Sequence, residues 1–149
     1  MITIGIADDH AIVRLGLREF LAEHEDLCVV GEAGNGDEAV ELVRRTKVDV
    51  LIMDLYMPGQ NGIDAMSRIR AAAPEVAVLI YTAYPQEQYA AVLVQFGARA
   101  FLSKEGDPTE IVRATRELGL GRRYLTPAMA ALLADQLARK SQAPMDCVD

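Results

Sequence analysis

Short β-branched runs alternate with longer stretches of helical period along this chain, about five times over. The runs Ile2 to Ala7, Leu27 to Ala33, Val48 to Met53, Val76 to Tyr81 and Ala100 to Leu102 predict strands. Several are apolar almost throughout, as strands covered by helices on both faces should be. Between the first two, Val13, Leu17, Phe20 and Leu21 fall at i, i+4, i+7 and i+8, which predicts a helix with one apolar face from about Ala11 to Ala22. Asn35 with Glu38, and Asp107 with Pro108 and Glu110, place a capping side chain, a first-turn proline and a reciprocal acid where further helices should begin. Ile111, Ala114, Thr115 and Leu118 give the fifth helix an inward stripe. The alternation as a whole predicts βαβ units, a parallel sheet and an α/β fold.

After Leu120 the phrase Gly121-Arg122-Arg123-Tyr124 breaks the pattern, and Thr126-Pro127 opens another helix by N-cap and N1 chemistry. Met129, Leu132, Leu133, Gln136 and Leu137 give this appended helix a partly apolar face that a finished five-repeat sheet does not need, so it has to pack on something. From Ser141 the chain reads as polar linker. The expected division is a domain over 1–121 and a linker helix with polar tail over 122–149.

A length of 149 residues fits one domain with one core, and 51% apolar with 25% charged residues excludes a disordered chain. No apolar run approaches the roughly 20 residues that span a bilayer, so no membrane is expected. Met1-Ile2-Thr3-Ile4 enters a strand pattern without a basic stretch, so no secretion signal is expected either. A net charge of −7 has the wrong sign for holding a polyanion, so this chain alone is not expected to contact nucleic acid. Cys28 lies in an apolar run, and Cys147 has no His or Cys at metal-ligand spacing; both suit a reducing cytoplasm and not a zinc site.

Ligands of open α/β sheets bind outside the carboxyl ends of the strands. Asp8 and Asp9 follow the first strand, and Asp54 follows the third, which lies beside the first in a sheet of order 2-1-3-4-5. Three converging acids repel one another unless a cation neutralises them, and an all-oxygen set suits a hard ion such as Mg²⁺. Thr82-Ala83 ends the fourth strand and Ser103-Lys104 the fifth, which adds a hydroxyl and an ammonium to the same rim. Such a pocket suits phosphoryl oxygens, and a carboxylate in it can act as nucleophile and become an aspartyl phosphate.

Over roughly residues 1 to 120 the chain resembles the receiver domains of two-component response regulators. Ile4-Gly5-Ile6-Ala7-Asp8-Asp9-His10 is similar to that family's first-strand acidic pair. Met53-Asp54-Leu55-Tyr56-Met57-Pro58-Gly59 with Gly62 resembles its phosphoacceptor loop, Tyr81-Thr82-Ala83 its switch hydroxyl, and Phe101-Leu102-Ser103-Lys104 its aromatic switch position and lysine strand. The resemblance implies a flavodoxin-like fold: a five-stranded parallel sheet of order 2-1-3-4-5, helices on both faces and a C-terminal appended helix. It implies a phosphoacceptor at Asp54, served by a sensor histidine kinase, in a signalling domain that catalyses only its own phosphorylation and dephosphorylation. It also implies Mg²⁺, with Mn²⁺ as a substitute, held by Asp9, Asp54 and the Tyr56 backbone carbonyl, and by Asp8 mainly through water. Thr82, Ala83 and Lys104 would meet the phosphoryl group, Phe101 would carry the switch, and Tyr56 and Tyr84 would tune dephosphorylation.

Val13-Arg14 after the acidic pair, and Gly121-Arg122-Arg123-Tyr124-Leu125-Thr126-Pro127, are similar to regulators with a LuxR-type (NarL/FixJ-like) helix-turn-helix output. Such regulators run about sixty residues further, so the chain reads either as a fragment that ends in the interdomain linker, the favoured reading, with DNA reached through an output domain not in this chain, or as a free-standing receiver. Many relatives have Pro after the lysine, whereas here Glu105 follows Lys104. A phosphorylation-linked homodimer is expected, through the fourth helix (Val92, Leu93, Phe96) or the appended one (Met129, Leu132, Leu133).

Two rivals use a similar sheet. A haloacid dehalogenase-type phosphatase needs Asp-x-Asp after the first strand, where this chain has adjacent Asp8-Asp9. A flavodoxin-like nucleotide carrier needs backbone N–H groups and little negative charge at its phosphate loop.

Overall fold

Eleven elements alternate along a computed structural model that describes residues 1–59, 61–83, 87–125 and 127–142, without the side chains of 87–89, 91, 128, 132, 133, 136, 137 and 140–142. They are β1 (Ile2–Ala7), α1 (Ala11–Ala22), β2 (Leu27–Ala33), α2 (Gly36–Arg45), β3 (Val50–Met53), α3 (Gly62–Ala72), β4 (Ala77–Thr82), α4 (Glu87–Gln95), β5 (Ala98–Ser103), α5 (Thr109–Gly119) and α6 (Pro127–Gln142). The five strands form one parallel sheet in the order β2-β1-β3-β4-β5. Tyr84, Thr126 and Cys147, and the side chains of Leu132, Leu133, Gln136 and Leu137, all invoked by the sequence reading, lie outside the described residues.

Strand alternation divides the core into two. Val50 and Ile52 join Ile4, Ile6, Leu79 and Leu102 against α1 and α5, whereas Leu51 and Met53 join Val78 and Ile80 against α2, α3 and α4. Every residue of β3 is buried, which is why its sequence has no polar alternation.

β1, β2 and α1 occupy the predicted spans. β3 begins at Val50 rather than Val48. Asp49, just before it, is tied across to Thr3: its carboxylate accepts the Thr3 N–H (2.9 Å), and its own N–H donates to the Thr3 carbonyl (2.9 Å) and Oγ1 (3.0 Å). β4 is shifted by one residue to end on Thr82, and β5 is longer than expected at both ends.

Asn35 caps α2 as predicted: its side chain accepts the Glu38 N–H (2.8 Å), while Glu38 Oε1 accepts from Gly34 N–H (2.7 Å). Asp107 Oδ1 accepts from Thr109 N–H at the start of α5 (3.0 Å). Pro108, with φ −56° and ψ −25°, already has first-turn geometry.

After α5 the chain turns through Gly121 (φ +82°) and returns to the sheet. The Tyr124 N–H donates to the Arg99 carbonyl (2.9 Å), and Tyr124 pairs in parallel with Ala100 on the outer edge of β5. This short pairing blunts an otherwise open edge. From there α6 lies against α4, with Met129 buried in the same core cluster as Leu93 and Phe101. The partner that the appended helix required is therefore α4. The two surfaces expected to be presented for dimerisation cover one another in part: Leu93 is fully buried and Met129 nearly so, while Phe96 stays exposed.

Candidate functional site

Three strand ends are held in step by single backbone bonds that extend the sheet by one residue. Asp54 N–H donates to Ala7 O (2.9 Å), Asp8 N–H to Ala33 O (3.0 Å) and Lys104 N–H to Thr82 O (2.8 Å). The parallel register thus sets Asp8 beside Asp54, and Lys104 one residue beyond the Thr82–Ser103 pair, without any contact between their side chains being needed.

The side chains then converge. Lys104 Nζ lies 2.6 Å from Asp8 Oδ2 and 3.0 Å from Asp54 Oδ2, and all but small fractions of both carboxylates are buried. Burial opposes the charged ammonium, but hydrogen bonds and charge from Asp8 and Asp54 outweigh it and hold the Lys104 pKa above its ordinary value. The Tyr81 ring centroid stands 5.9 Å from Lys104 Nζ, and burial pushes that phenol up, offset in part by the ammonium. Asp54 Oδ1 accepts the Tyr56 N–H at 3.3 Å. Thr82 is fully buried at the end of β4, and Ala83 is half-buried beyond it.

Asp8 has both oxygens engaged: Oδ2 with Lys104, and Oδ1 with the His10 N–H (2.9 Å) and His10 Nδ1 (3.0 Å). Asp9 differs. Its Oδ1 is buried without a hydrogen-bond partner, although His10 Nδ1 lies 3.1 Å away, off the line of a hydrogen bond. One ligand atom from each of Asp8, Asp9, His10 and Asp54 falls within 4.8 Å of the others. Two of the three carboxylates share the Lys104 ammonium, and the third, Asp9, has a buried oxygen without a hydrogen-bond partner, an arrangement a bound cation would complete.

Two residues near the pocket were quoted in motifs but given no part in the site by the sequence reading. Arg14 donates from Nη1 to the Asp8 carbonyl and from Nε to Glu32 Oε1 (3.0 Å), so it clamps the turn that carries the acidic pair. His10 lies over the acids. Neither contact has a periodic signature. The Lys104 loop likewise uses its departure from the usual proline, since Glu105 N–H donates to Ser103 Oγ at 3.1 Å. Phe101 is buried under α4, and Tyr56 is 48% exposed at the rim of a groove of about 420 Å³ that also includes Asp9, Met57 and Asn61.

Residues 4–116 match the family described as response regulator receiver domain. The chain belongs to this family. Response regulator GacA of Pseudomonas aeruginosa is 36% identical over 144 residues, which cover 97% of this chain and 65% of that protein. This receiver chain therefore spans about 65% of the length of that curated relative. The crystal structure of a LuxR-family two-component response regulator from Aurantimonas sp. SI85-9A1 superposes with a TM-score of 0.82 at 34% identity, over 91% of this chain and 97% of that one. RcsB, in a structure of two dimers bound to two parallel DNAs, superposes with a TM-score of 0.80 at 27% identity, over 89% of this receiver and 66% of that chain. The flavodoxin-like fold and the LuxR-family kinship expected from the motifs both hold. The receiver is a signalling domain, and among its described residues no helix is long and apolar enough to cross a membrane.

Proposed function

We propose that Asp54 accepts a phosphoryl group from a sensor histidine kinase. The observation that carries this reading is Asp54 itself: almost wholly buried, 3.0 Å from the Lys104 ammonium, and beside the orphaned oxygen of Asp9. In the transfer the P–N bond of a phosphohistidine breaks, an Asp54 carboxylate oxygen forms the new P–O bond, and the freed imidazole takes a proton. Lys104 swings its ammonium from the carboxylates to a phosphoryl oxygen, and Thr82, with Ala83 beside it, supplies a hydroxyl to another. Water later attacks phosphorus, which returns the carboxylate and releases inorganic phosphate. The domain thus catalyses its own phosphorylation and dephosphorylation and nothing further.

Mg²⁺, or Mn²⁺ in its place, would neutralise charge on the phosphoryl oxygens when bound. Asp9, Asp54 and the Tyr56 carbonyl would hold it directly. Asp8, whose oxygens are taken by His10 and Lys104, would act through water. Phe101 is already packed inside with Leu93 and Met129, so the switch is a repacking of α4 and α6 around a buried ring rather than the entry of that ring. Phosphorylation then favours a two-fold dimer, and a DNA-binding output module beyond this chain controls transcription in the cytoplasm. The superposition on dimeric, DNA-bound RcsB supports that setting.

Intact mass after incubation with Mg²⁺ and acetyl phosphate tests the reading. Wild type should gain one phosphoryl group and Asp54→Asn none; labelling of Asp54→Asn at full stoichiometry would sink the assignment.

A further inference from the structure

We propose that His10 is a ligand of the acidic pocket and makes it prefer borderline divalent ions such as Co²⁺ and Zn²⁺ over Mg²⁺. The inference rests on the reading of this pocket as a cation site, and it adds a nitrogen donor to what the sequence presents as an all-oxygen set.

His10 occupies the N-cap of α1 but makes no side-chain cap bond. Its ring turns back over the pocket instead, with Nδ1 3.0 Å from Asp8 Oδ1 and 3.1 Å from Asp9 Oδ1. The second of these oxygens is the buried one with no hydrogen-bond partner. Ligand atoms of Asp8, Asp9, His10 and Asp54 all lie within 4.8 Å of one another. Opposed ligands on one ion with bonds of ~2.1 Å sit about 4.2 Å apart, so side-chain adjustments of a few tenths of an ångström bring this set onto a single centre.

The donors that remain available decide the ion. Lys104 holds Asp8 Oδ2, and the His10 backbone N–H holds Asp8 Oδ1 whatever the ring does. Asp54 Oδ1 meets only the long Tyr56 N–H contact, at 3.3 Å, and Asp9 Oδ1 meets no hydrogen-bond donor, so Asp9, Asp54 and His10 Nδ1, with the Tyr56 carbonyl, are left to bind directly. Imidazole nitrogen favours Co²⁺ and Zn²⁺, whereas Mg²⁺ takes oxygen and keeps its waters, and Mn²⁺ lies nearer Mg²⁺ in its liking for oxygen. For Nδ1 to ligate, its proton has to reside on Nε2. The His10 side chain is 62% exposed, so water can solvate Nε2–H and no buried group loses a partner.

If His10 only orients Asp8, its removal weakens every ion alike, because the same carboxylate serves all of them. If it is a ligand, removal weakens the nitrogen-preferring ions selectively. The test is calorimetric titration of the 149-residue chain with MgCl₂, MnCl₂ and CoCl₂, with Cys147→Ser in every variant so that this thiol supplies no signal. His10→Gln should lower Co²⁺ affinity by about tenfold or more while changing Mg²⁺ affinity less than about twofold. Pulsed EPR of the Mn²⁺ complex should show a histidine nitrogen coupling that His10→Gln removes and His24→Gln retains. Equal loss for all three ions, or a nitrogen coupling that survives His10→Gln, would overturn the proposal and leave the cation pocket standing. If Asp9→Asn changes the affinity for none of the ions, the cation reading of the pocket falls, and the proposal with it.

Discussion

Lys104 and Asp8 form a closer pair, at 2.6 Å, than Lys104 and the expected phosphoacceptor Asp54, at 3.0 Å. The ammonium therefore bridges two strand ends, and its removal leaves buried carboxylates without their counter-charge. Lys104→Met should lower stability in urea by about 3 kcal/mol at pH 7, as breaking a buried pair does. The folded pKa of Lys104 is raised, so its stabilisation is complete below the unfolded value of 10.5 and is lost as pH climbs through the folded one. Wild type should accordingly show an alkaline loss of stability, from above about pH 10.5, that Lys104→Met lacks. A Lys104→Met protein as stable as wild type at pH 7 would show that the bridge contributes nothing.

Asp9 contributes charge and an unpartnered oxygen to the pocket, which favours a bound cation and disfavours the empty site. In the absence of divalent ions, Asp9→Asn should raise the melting temperature by a few degrees, corresponding to about 1 kcal/mol. Wild type should gain stability as MgCl₂ is added, following the logarithm of free ion over its dissociation constant, and the variant should not. Parallel titration curves for the two proteins would remove Asp9 from the ligand set.

Met129 is 4% exposed although it lies beyond the five-repeat unit. Its contacts with the cluster under α4 should make it part of the domain's stability rather than a passive tether. Met129→Ala should cost about 2 kcal/mol in urea unfolding and increase amide exchange in α4. A loss below about 0.5 kcal/mol, with α4 protection unchanged, would mean that α6 only rests there.

Tyr56 is 48% exposed, with its N–H on Oδ1 of the proposed phosphoacceptor Asp54. A phenol there shields phosphorus and offers little to orient a water, which predicts slow autodephosphorylation. Tyr56→Asn should shorten the phosphoryl lifetime modestly, and pairing it with Tyr84→Glu should shorten it further. Phosphoprotein followed by gel mobility or intact mass gives the rate. A lifetime unchanged or lengthened in the double variant would assign the clock to other residues.

Much of this protein is written locally. The buried run of β3 and the amphipathic period of α1 name their elements, because burial on two faces or on one leaves a distinct spacing of apolar residues. Asp8, Asp54, Thr82 and Lys104 were legible as a candidate site for a related reason: parallel strands end on one side, so polar residues at the ends of neighbouring strands share one rim. What the sequence could not carry depends on pairs of residues far apart in the chain. The tie between Thr3 and Asp49 before β3, the covering of β5 by Tyr124, and the packing of α6 through Met129 into the cluster that holds Leu93 are of this kind. His10 and Arg14 belong with these, since a ring turned back over two acids and a guanidinium on a carbonyl six residues earlier follow from the turn at the end of β1, not from any repeat. Periodicity reports which face of an element is buried; which partner buries it is a matter of packing among elements, and only the tertiary fold contains that choice.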